Sequence, residues 1–140
     1  MAKLGRYSAN RIKCQSLDAD YTITKADCGT LFTLDKADGI AVTLPTVANA
    51  GSGWWCRIVV GTNISSNTGT ITAEGALMRG GMNELETDTS EDGPSTVGGT
   101  TITIANAADT IGDYVELYTN GSLWFVSGQS KLDGAFSFDA

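Results

Sequence analysis

The sequence predicts an all-β fold, an antiparallel β-sandwich or jelly-roll-like domain of about nine short strands. Three observations carry this. Glycine is abundant, 17 residues against 2 prolines, and charged residues make up only 18% of the chain, a balance suited to short strands and tight turns. Apolar residues alternate with threonine in short runs, recurring at roughly 10 to 15 residue intervals with turn signals between them. The run Asp113 to Gly128 (DYVELYTNGSLWFVSG) reads as a hairpin centred on Asn120-Gly121, the dipeptide that best tolerates the positive φ of a two-residue turn.

The elements follow in order. Tyr21 to Thr24 (YTIT) and Thr30 to Leu34 (TLFTL) are strands separated by the turn-like Lys25 to Gly29. Asp35 to Gly39 is a loop of turn residues, and Ile40 to Leu44 then places Ile40, Val42 and Leu44 on one face before Pro45 ends the strand. Ala48 to Gly53 is a small-residue loop leading into Trp54 to Val60 (WWCRIVV), apolar nearly throughout and therefore expected to be covered on both faces. Trp55, Arg57 and Val59 share one of those faces; Trp54, Cys56, Ile58 and Val60 share the other. Thr68 to Ala73 (TGTITA) and Thr100 to Ala105 (TTITIA) are further strands. Between them, residues 74–99 read as an irregular, glycine-rich acidic loop. A final strand carries Phe136 and Phe138 on one face.

A two-residue turn at Asn120-Gly121 sets Leu117 against Trp124 and Val115 against Val126 on one surface of the hairpin, which reads as core. The other surface carries Tyr114, Tyr118, Leu123 and Phe125. That is too much apolar area for a solvated sheet face, so a second layer or a neighbouring subunit is expected to cover it.

At 140 residues the chain suits one domain with its own core. Net charge is −7, yet the first 17 residues hold Lys3, Arg6, Arg11 and Lys13 and no acid, while the remainder holds 5 basic against 16 acidic residues. The reading is a basic N-terminal arm (1–17) on an acidic β domain (18–140). The arm, with Lys3, Arg6, Tyr7, Arg11 and Lys13, is the candidate for docking onto an acidic surface. The acidic body argues against nucleic acid as a partner, and the lack of a long apolar stretch or a leader argues against membrane insertion or secretion. Cys14, Cys28 and Cys56 are odd in number and lack CxxC spacing, so reduced thiols are expected.

The chain contains no histidine, which removes the usual general base, the Ser-His and Cys-His pairs and most zinc sites. Paired carboxylates Glu84 with Glu86, or Asp88 with Asp92, read as a solvated acidic loop before an acid-base pair. Asp88, Glu91 and Asp92 are weak candidates for a metal, lacking the spacing of an EF-hand. No enzyme, cofactor or resident metal is therefore expected. Trp54, Trp55 and Trp124 with Tyr114 and Tyr118 have two readings, packing in a core or interface and a sugar-stacking platform; packing is favoured.

The ordered combination YTITKADCGTLFTLDKADGIAVTLP, WCRIVV, GGMNELETD and GDYVELYTNGSLWFVSGQSK resembles small virion proteins of tailed bacteriophages, the head decoration or cement proteins in particular, from about Asp18 onward. The resemblance implies a β-rich protein on the outer capsid surface of a virion. It would be a homotrimer whose partners are its own copies and the major capsid protein, with the basic arm in capsid contact. Tail or tail-fibre accessory proteins and carbohydrate-binding recognition modules use similar β modules and stand as alternatives.

Overall fold

In a computed structural model, residues 11–75, 77–85, 95–97 and 99–139 are described, 95–97 by backbone alone. Their strands are β1 (Cys14–Leu17), β2 (Tyr21–Thr22), β3 (Leu31–Leu34), β4 (Ala41–Leu44), β5 (Trp55–Val60), β6 (Gly69–Ala73), β7 (Met78–Glu84), β8 (Ser95–Val97), β9 (Thr101–Ile104), β10 (Tyr114–Thr119), β11 (Trp124–Ser130) and β12 (Phe136–Phe138). They make a seven-stranded sheet, β1-β3-β5-β10-β11-β7-β8, and a five-stranded sheet, β12-β9-β6-β4-β2. The expected all-β sandwich forms, but its sheets are mixed rather than antiparallel throughout.

The mixture has a simple origin. From β1 to β6 the chain alternates between the sheets at every strand, so each circuit adds one strand to each layer. Neighbours in a layer then run the same way: β1, β3 and β5 pair in parallel, and so do β2, β4 and β6. Changing layers supplies the long crossover that a parallel pair requires. The later strands return to antiparallel pairing at β5–β10, β10–β11, β6–β9 and β9–β12. A short helix, α1 (Val47–Ala50), breaks the expected small-residue loop, with the Thr46 hydroxyl accepting from Asn49 N at 3.2 Å.

Alternation decides what each strand buries. Phe32, Leu34, Cys56, Ile58, Val115, Leu117, Trp124 and Val126 point from the large sheet into one core; Val42, Leu44, Ile71, Ile102, Ile104 and Phe136 meet them from the small sheet. Trp54 and Trp124 pack edge to face with centroids 5.5 Å apart, and the Trp54 indole N–H donates to Lys25 O at 3.0 Å.

Three expectations need correction. The arm does not extend to residue 17, because Cys14–Leu17 is the edge strand β1, with Leu31 N donating to Lys13 O at 2.8 Å. The segment 74–99 is not a loop throughout, since β7 lies within it and pairs in parallel with β11 along its whole length. The hairpin register is shifted by two: Thr119 faces Trp124, Tyr118 faces Phe125 and Leu117 faces Val126. Asn120 is the reason. Its side-chain Oδ1 accepts from both Ser122 N (2.9 Å) and Leu123 N (3.0 Å), which closes a four-residue loop in place of the two-residue turn. An even shift keeps every side chain on its face, so the division into core and outer surfaces is unchanged.

Candidate interface on the outer face of the large sheet

The two outward faces of the sandwich differ in chemistry. On the small sheet, Thr22, Thr43, Thr72 and Thr101 sit opposite one another across four strands, and Thr70, Thr103 and Ser137 form the next row. Rows of hydroxyls on β-branched residues suit a sheet face open to water. On the large sheet, the corresponding row is Trp55, Tyr118, Phe125 and Arg79, taken from β5, β10, β11 and β7. The next is Leu31, Arg57, Glu116 and Ser127, followed by Thr33, Val59, Tyr114 and Gln129.

This aromatic face is ordered by its own contacts. Tyr118 and Phe125 stack with ring centroids 5.6 Å apart. The Arg57 guanidinium lies 4.8 Å from the Tyr114 ring centroid and donates through Nε to Glu116 Oε2 at 3.1 Å, so cation–π attraction and an ion pair fix one side chain. Trp55 packs beside Gly29, where an added Cβ would stand 3.7 Å from the indole. Leu31, Trp55, Arg57, Glu116 and Tyr118 line a groove of about 510 Å³ that Ile12 borders at the β1 side. Ile12 is 56% exposed and Tyr118 44%; the second sheet packs on the opposite face and covers neither.

Of the residues the sequence places at an interface, Tyr114, Tyr118 and Phe125 come together on this surface, while Leu123 lies in the hairpin loop. Of the five arm candidates, Lys3, Arg6 and Tyr7 lie outside the described residues and Arg11 is exposed. Lys13 is held by its own domain, its ammonium 3.7 Å from the buried carboxylate of Asp27. Asp88, Glu91 and Asp92, the metal candidates, also lie outside the described residues, as does Glu86. Among the described residues no group of three or more metal-ligating side chains converges, and no helix is long and apolar enough to cross a membrane. Trp54 and Trp124 are core residues, so a sugar platform retains only Trp55 among the tryptophans. The contributions of Leu31 and Arg79 were not legible in the sequence, because they join the face through parallel pairings that no local signal specifies; Ile12 reaches the groove from the residues just before β1. Cys14 and Cys28 are exposed and Cys56 is buried; burial raises the Cys56 thiol far above its ordinary range, which leaves it protonated and unreactive.

No protein-family model, curated protein or solved structure matches the chain.

At the far end of β7, burial raises the pKa of Glu84, Gly134 N donates to its carboxylate at 3.1 Å, and the neighbouring Asp133 carboxylate raises it further. A folded-state pKa above the unfolded value, about 4.3, means that the stabilisation is fully present below that pH. It is lost as pH rises through the folded value. Glu84→Gln, which cannot ionise, should therefore raise the melting temperature at pH 7 and leave it unchanged at pH 4. An equal change at both pH values in thermal melts would show that charge is not the cause.

Proposed function

We propose that this chain is a structural virion protein that binds the outer surface of a phage capsid and stabilises the shell, assembling as a homotrimer. The observation that carries the assembly reading is the contrast between the two outer faces: threonine rows on the small sheet, an ordered aromatic row on the large one. An aromatic residue buried on association contributes a few kcal/mol, and Tyr, Trp and Arg are the residues that dominate protein interfaces. The resemblance of the ordered segments to decoration proteins supports the capsid as the partner. Repetition over a lattice then multiplies a modest affinity per site by raising the effective concentration of each further contact. A structural role also agrees with a chain that has no histidine.

Quantitative mass spectrometry of purified particles tests the location: the reading expects a copy number within a few-fold of the major shell protein. A ratio far lower assigns the chain to the tail. Light scattering tests the assembly. A trimer is expected for the parent chain and a monomer for Tyr118→Asp/Phe125→Asp, and a parent chain monomeric at micromolar concentration would remove the intrinsic trimer.

The groove favours one further reading, a carbohydrate-binding module, because Trp55 and Tyr118 offer stacking surfaces beside the Arg57–Glu116 pair. Retention of the isolated domain on a glycan array, lost in Trp55→Ala, would select it over the assembly reading.

A further inference from the structure

We infer that Asn120-Gly121 is a site of spontaneous backbone modification, deamidation through a succinimide, and that its isoaspartyl product releases the loop that holds Tyr118 and Phe125 together. The inference does not depend on the capsid reading.

Deamidation requires a main-chain nitrogen that can reach the side-chain amide carbon of the asparagine before it. Gly121 supplies the least shielded one, since it has no Cβ, and Asn120-Gly121 is the only Asn-Gly pair in the chain. Even an added Cβ at Gly121 would meet its nearest neighbour from outside the loop, Ser52 N, at 3.6 Å, so nothing packs tightly over the line of attack. Asn120 is exposed, which admits the water that the reaction consumes.

The loop also arranges the reacting groups. Ser122 N and Leu123 N donate to Asn120 Oδ1 at 2.9 and 3.0 Å. Negative charge develops on that oxygen when the carbon is attacked, so both donors stabilise the tetrahedral state. Gly121 N donates to Thr119 Oγ1 at 3.0 Å, which draws the proton away from the attacking nitrogen. A bond then forms between Gly121 N and Asn120 Cγ, the Gly121 proton passes through water to the side-chain nitrogen, and the Cγ–Nδ2 bond breaks to release ammonia. Water opens the ring at either carbonyl. One opening leaves aspartate at position 120. The other leaves an isoaspartyl linkage, in which the main chain runs through the former side chain and is longer by a methylene.

The two products differ at the loop. Aspartate keeps an oxygen where Oδ1 stood, so Ser122 N and Leu123 N keep their acceptor. The isoaspartyl linkage draws that carbonyl into the main chain, and the contacts that close the four-residue loop are lost. Tyr118 and Phe125, stacked at 5.6 Å, are the outward pair nearest this loop. Thr119 O also accepts from Gly53 N at 2.8 Å, and both residues line the groove. Modification of one exposed residue is thereby transmitted to the aromatic row.

Ageing the full chain in mildly alkaline buffer, followed by peptide mass spectrometry, tests the site. Asn120 should convert in the folded protein over a period in which the other six asparagines stay intact, and Gly121→Ala should abolish the conversion. Methyl transfer by an isoaspartyl methyltransferase identifies the isoaspartyl product. In that product, isolated by chromatography, amide hydrogen exchange at Ser122 and Leu123 should be about fivefold faster than in Asn120→Asp, the factor that loss of a net hydrogen bond implies. Asn120→Asp carries the same charge without the longer chain. Conversion of Asn120 only after unfolding in urea would mean that the two N–H contacts lock the amide, and it overturns the inference. So does conversion no faster than at the other asparagines, and so does equal exchange in the isoaspartyl protein and Asn120→Asp.

Discussion

Trp124→Ala should lower the unfolding free energy by about 3–5 kcal/mol, whereas Trp55→Ala should cost about 1 kcal/mol or less in the isolated chain. The residue removed is the same; the surroundings differ. Trp124 is fully buried, stands on β11 between Thr119 of β10 and Met78 of β7, and meets Trp54 edge to face. Its removal leaves a cavity walled by both neighbouring strands and the opposite sheet, and a close-packed interior fills such a void only in part. Trp55 is half-buried on the outward face, where water takes the space it leaves. For a domain whose total stability is about 5–15 kcal/mol, the first change approaches loss of the fold and the second does not. Urea denaturation of both variants decides the matter. Equal costs would mean that the outward face is part of the chain's own core, and the assembly reading would lose its physical basis.

The same two tryptophans show what was legible in the sequence. Trp54-Trp55 in an apolar run predicts one side chain on each face, because a strand alternates whatever its partners. Faces were therefore readable for the strands recognised, including the hairpin with its wrong register. Pairing was not. Lys25-Ala-Asp-Cys-Gly followed by a strand ending in Thr33-Leu34, and Lys36-Ala-Asp-Gly followed by one ending in Thr43-Leu44, are two versions of one unit. That repetition does not itself say that successive strands change sheet, since the same loop closes a hairpin or a crossover depending on which face the next strand must bury. β1 is concealed for a different reason: Cys14-Gln-Ser-Leu17 buries only Leu17 fully and has the composition of a tail. The strand β7 reads MRGGMNE, with two adjacent glycines where β-branched residues are the usual signal.

The first of those glycines, Gly80, has a structural cause, and replacing it should be among the most damaging changes in the chain. Gly80 has φ +125°, and a Cβ built there would lie 2.0 Å from Val126 O on β11, a backbone atom held in the ladder that joins β7 to β11. Gly80→Ala therefore combines a backbone conformation that costs about 1–3 kcal/mol for any L side chain with a collision that only separation of the two strands relieves. The expected loss is about 3 kcal/mol or more, or failure to accumulate folded protein. Gly75→Ala separates the two contributions. Gly75 also has positive φ, +68°, but no atom lies within 4 Å of its Cβ position, so strain acts alone and about 1–2 kcal/mol is expected. Chemical denaturation that ranked Gly75→Ala at or above Gly80→Ala would contradict the close β7–β11 approach. The consequence extends to the aromatic face, because Arg79 stands opposite Phe125 only through that pairing. A Gly80 variant that still folds should therefore show weaker self-association than Gly75→Ala at equal stability, through loss of the fourth strand of the row.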